Sequence, residues 1–95
     1  MIDVRQAVEN AARYARNLYG DELFDLRLEE VELSDDRRAW LITLGLRLKK
    51  RASPMVEATR QATGAQPEPD HREYKIFHVA ADTGDVQSMK IRTVA

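Results

Sequence analysis

The stretch Trp40-Leu41-Ile42-Thr43-Leu44-Gly45-Leu46-Arg47-Leu48 decides the fold of this 95-residue chain. A large apolar side chain occupies every second position, and the positions between carry apolar, small and basic residues. A period of two is typical of a β-strand, because successive side chains of a strand point to opposite faces of the sheet. We therefore predict a strand over 40–48, with its even-numbered residues facing a hydrophobic core.

A second strand precedes this one and pairs with it. Residues 26–33 are rich in apolar side chains, but their spacing slips by one between Leu28 and Val31. Such a slip indicates one extra residue in the strand, which predicts a β-bulge near Glu29-Glu30. The polar run 34–38 then supplies a turn, so the two strands form an antiparallel hairpin.

An amphipathic helix is predicted over 4–19. Its apolar residues, many of them alanine, fall on one half of a helical wheel, and its charged residues and amides fall on the other half. Asp3 is a favourable N-cap, Gln6 is placed to complete a capping box, and Gly20 suits the left-handed position that ends a helix. Because alanine is small, this helix can lie close against a sheet.

A second hairpin is predicted near the end of the chain. Its strands cover 72–81 and 86–94, and Gly84 lies in the turn between them at a position that favours positive φ. Two sets of side chains alternate on the first of these strands, and both contain apolar residues. We assign Phe77 and Val79 to the core side.

The segment 49–70 separates the two hairpins, and we predict it to be a flexible insert. Ser53-Pro54 is a helix-start signal and Gly64 can end a helix, so a short helix is expected over 54–63. The alternative is a loop throughout. In either case the insert connects the second and third strands.

Together these elements predict one α+β domain over residues 1–95. An N-terminal helix packs on a four-stranded antiparallel meander sheet of order 1-2-3-4, an arrangement like that of cystatins. The run from Tyr74 to Val86, in which an alternating strand enters the turn Asp82-Thr83-Gly84-Asp85, resembles the closing hairpin of PepSY domains. Small uncharacterised bacterial proteins with one helix and four strands look similar. PepSY domains are mostly exported or membrane-attached and are thought to restrain peptidases, so the resemblance implies an inhibitory role. The insert departs from the minimal PepSY pattern.

The composition excludes several functional classes. Fifteen Lys and Arg against sixteen Asp and Glu leave a net charge of −1, and the one basic run, Lys49-Lys50-Arg51, has no interleaved aromatic residue. We therefore predict no nucleic-acid binding. The chain lacks cysteine, which excludes disulfides and thiolate sites. His71 and His78 fall on opposite faces of one strand and cannot share a metal ion. We predict no catalytic residue, metal site or cofactor.

The sequence shows no signal-peptide pattern, and its apolar runs are too short to span a bilayer. Both observations favour a cytoplasmic protein that does not contact a membrane.

One helix can cover only one face of the predicted sheet, and the other face is the candidate interaction surface. The side chains placed there are Leu41, Thr43, Tyr74, Ile76 and His78. Two interpretations remain open at this point. The helix predicted over 54–63 covers this face within one chain, or the face binds a protein partner or a second copy of the chain.

The function predicted from these observations is a small non-catalytic protein-interaction module, such as an inhibitor or regulator of a bacterial partner protein. The alternative is a ligand-binding or enzymatic domain with a pocket between helix and sheet. That alternative requires a cavity lined by Trp40, Phe24 and Tyr14 that contains a buried polar group.

Overall fold

A computed structural model describes residues 1–49 and 71–92 of the chain. The elements are a helix α1 (Val4–Tyr19), a 3-10 turn (Gly20–Glu22), and strands β1 (Leu23–Leu33), β2 (Ala39–Leu48), β3 (His71–Ala80) and β4 (Val86–Ile91). The strands form one antiparallel sheet of order β1-β2-β3-β4, and α1 packs on it. The predicted fold class is confirmed. The helix predicted over 54–63 and the last residues predicted for β4 lie outside the described residues.

The ends of α1 are set by the residues that the sequence indicated, with one difference. The Asp3 carboxylate accepts a hydrogen bond from the Gln6 backbone N–H at 2.8 Å, which is the predicted N-cap. The Gln6 side chain does not complete a capping box, because its amide donates instead to the Asn10 side-chain oxygen at 2.8 Å. Gly20 ends the helix at φ 57°, where a residue without Cβ meets no steric penalty, and its N–H donates to the Arg16 carbonyl.

The core lies between an alanine stripe on α1 and one face of the sheet. Ala7, Ala11 and Ala15 are fully buried, which lets the helix backbone approach the strands closely. The fully buried side chains of the sheet are Ile42, Leu44, Leu46, Phe77 and Val79. The even-numbered residues of β2 and the predicted pair on β3 therefore face α1. At one end of this core, Trp40 is partly buried and its indole N–H donates to the Ile2 carbonyl at 3.1 Å.

The pairing of β1 with β2 is irregular in the way the sequence indicated. The register shifts between Leu28 and Glu30, so the bulge predicted near Glu29-Glu30 is present. The strand also begins three residues earlier than predicted, because Leu23 pairs with Leu48 at the far end of β2. The β1–β2 hairpin is therefore longer than the apolar pattern alone implied.

The β1–β2 turn is held by a small hydrogen-bond network. The Asp36 carboxylate accepts from the Ser34 hydroxyl at 2.6 Å and from the Arg38 backbone N–H at 3.0 Å, and both bonds lower the pKa of Asp36. The Ser34 hydroxyl oxygen in turn accepts from the Ala39 backbone N–H at 3.1 Å. Between these residues Arg37 adopts φ 59°, and in the described part of the chain it is the one residue other than glycine at positive φ. The turn therefore holds an L-amino acid in a conformation that costs free energy.

Replacing Arg37 by glycine should therefore stabilise the protein. We expect Arg37→Gly to raise the free energy of unfolding by about 0.5–1 kcal/mol, because glycine adopts this φ without a steric penalty. Urea unfolding followed by tryptophan fluorescence measures the difference. The matched control is Arg38→Gly, at a position without positive φ, which should lower the free energy of unfolding. Equal effects at the two positions would contradict the assignment of strain to Arg37.

Candidate functional site

The candidate site is the face of the sheet opposite α1, which we call the outer face. In the β2–β3 register, Leu41 pairs with His78 and Thr43 pairs with Ile76, and Tyr74 follows two residues further along β3. The five residues predicted to form an interaction surface are therefore neighbours on the two central strands. The structure brings all of them together.

The centre of the outer face is less exposed than an open apolar strip. Thr43 is only 3% exposed, and the other four predicted residues are partly buried. The large apolar side chains with high exposure lie elsewhere and include Leu18 on α1 and Ile91 at the end of β4. Two charged side chains lie across the outer face and contact β2 or approach it closely.

The first of these side chains is Arg92, directly after β4. Its backbone N–H donates to the Tyr74 carbonyl at 2.9 Å, which keeps it in line with the sheet. Its guanidinium then reaches back across the outer face, donates to the Thr43 hydroxyl oxygen at 2.9 Å and forms an ion pair with Glu30 of β1. The Arg92–Glu30 ion pair thereby spans from the β4 edge to the β1 edge and lies over Thr43.

The second is Arg72 on β3, whose guanidinium lies 3.4 Å from Asp25 and 3.8 Å from Glu29, both on β1. Gly45 of β2 lies beneath this pair. A Cβ at position 45 would be 2.8 Å from a Glu29 carboxylate oxygen and 3.2 Å from the Arg72 Nη1. Glycine in the middle of the strand therefore lets the charged groups lie flat against the backbone.

The sequence analysis missed both arginine contacts. Arg72 and Asp25 are 47 residues apart, and Arg92 and Thr43 are 49 residues apart, so neither pair has a local spacing that a pattern search detects. One signal was present in the sequence. Gly45 interrupts an otherwise strong strand, and an isolated glycine there indicates that another group approaches the backbone closely.

The contact above Gly45 predicts that the effect of Gly45→Ala on the free energy of unfolding depends on whether Glu29 is present. Gly45→Ala should lower the free energy of unfolding by about 1 kcal/mol, because the added methyl displaces the Glu29 carboxylate. In a Glu29→Ala background the same change should be neutral or stabilising, since alanine is favoured over glycine in a strand by about 0.5–1 kcal/mol. Chemical unfolding of the four proteins measures the coupling.

The control for this series is a Glu32→Ala background. Glu32 also lies on β1 but pairs opposite Leu41, away from Gly45, so the cost of Gly45→Ala should remain unchanged there. The same cost in the Glu29→Ala background would contradict the proposed contact.

The inner face of the sheet carries an ion pair that the sequence analysis also missed. Glu73 and Lys75 alternate with Phe77 on β3, so they point toward the same side as the core. The Lys75 ammonium lies 3.4 Å from the Glu73 carboxylate, and the lysine side chain is only 12% exposed. Burial and the negative charge of Glu73 raise the pKa of Tyr19, at the end of α1, above its ordinary value of 10.0.

This arrangement predicts a titration effect. Glu73→Gln should lower the pKa of Tyr19 toward its ordinary value, because the electrostatic cause disappears while burial remains. The raised pKa means that the folded state holds the phenol proton more tightly, so its contribution to stability is present below pH 10 and is lost as the pH rises through the Tyr19 pKa. Ultraviolet titration of tyrosinate measures the shift, with Tyr19→Phe identifying the signal. Glu32→Gln is the control that should leave it unchanged.

The residues named for a helix–sheet pocket make separate contacts. The Tyr14 ring packs edge-on against Phe77, with ring centroids 6.1 Å apart. Phe24 is 43% exposed, and the Arg47 guanidinium lies 5.2 Å from its ring centroid. Trp40 is held by its hydrogen bond at the start of the chain. In the described part of the chain these three side chains do not converge on one cavity.

The remaining geometry gives little support for a ligand site. A cleft of about 420 Å³ at the end of the sheet is bordered by Arg37, Arg38 and Asp82, which are all exposed. Within residues 1–49 and 72–92, Thr43 is the one buried polar side chain, and it lies on the outer face with Arg92 as its partner. The same residues contain no group of three His, Cys, Asp or Glu side chains placed to hold a metal ion.

Comparisons with protein-family models, with curated proteins and with solved structures found no match for this chain. The resemblance to PepSY domains is therefore supported only at the level of the fold, a helix with four antiparallel strands. None of the helices in the described residues has the length and apolar character needed to cross a membrane.

Proposed function

We propose that this chain is a small non-catalytic protein-interaction module that binds another protein surface through its outer face. One observation carries the proposal. Among the elements that the structure describes, α1 covers only the inner face of the sheet, while Leu41, Tyr74, Ile76 and His78 remain partly accessible at the centre of the other face.

The chemistry of the outer face supports this assignment. Its centre carries aliphatic groups, a phenol ring and an imidazole, and charged residues surround them on β1 and around β4. A partly apolar centre within a polar rim is the usual anatomy of a protein interface. Both arginines also anchor the face across several strands, so it is largely preorganised and little conformational entropy is lost on binding.

The same observations disfavour the pocket-based alternative. Its three predicted lining residues make separate contacts, and the buried polar side chain lies on the opposite face of the sheet. Regulation or inhibition of a bacterial partner protein is the form of this function that the PepSY resemblance implies. The cytoplasm is the compartment that we propose for this function.

The proposal is tested with Ile76→Glu. Ile76 lies on the outer face, so the variant should keep its thermal stability while losing association, because a carboxylate buried in a partly apolar interface is costly to desolvate. Light scattering and affinity capture from the source cells measure association. Asn17→Asp is the matched control, since it adds the same charge on an exposed position of α1.

The outcomes separate the interpretations. Association that is lost in Ile76→Glu and kept in Asn17→Asp supports the proposal. A large fall in melting temperature without a change in association would mean that the outer face is covered within one chain. Identical behaviour of all three proteins would mean that the outer face is ordinary solvent-exposed surface.

A further inference from the structure

We draw no further inference here: the strongest candidate, the partly apolar centre of the outer face between the ion pairs of Arg72 and Arg92, belongs to the site already described, and nothing in the structure shows what covers it.

Discussion

The close contact between the alanine stripe of α1 and the even-numbered face of β2 is the interaction on which the rest of the structure depends. Because Ala7, Ala11 and Ala15 carry almost no side chain, the helix approaches the sheet closely enough to bury Ile42 and Leu44 completely. That contact determines which residues of β2 face α1. Because the other strands are paired with β2 in a fixed register, it also determines which of their residues face α1 and which face outward. The outer face is what remains once this contact has formed.

Most of the fold could be predicted from the sequence, because its signals are local. The alternation around Trp40, the cap at Asp3 and the slip before Val31 each reflect neighbouring residues, and each corresponds to an observed element. The surroundings of the candidate site could not be predicted in the same way. Contacts of Arg72 and Arg92 depend on the register between strands that are distant in the chain, and long side chains can reach several partners.

The two arginines also change the chemical character of the outer face. Arg92 and Glu30 are 39% and 45% exposed, and such ion pairs each contribute less than about 1 kcal/mol to stability. The larger effect of the two arginines is that their flat guanidinium groups lie over β2 and shield part of the centre of the outer face from solvent. A surface of this kind favours a partner with complementary charges over unspecific hydrophobic contact.

The position of Arg92 has a consequence for how the domain folds. Its guanidinium joins the residue after β4 to β1, with two strands between them, so the contact can form only when all four strands are in register. It therefore belongs to the last stage of assembly and is sensitive to any gap in the sheet. Contacts of such high sequence separation slow folding. They also couple the two edge strands, because the loss of one edge strand removes a contact of the other. The two hairpins therefore unfold more cooperatively.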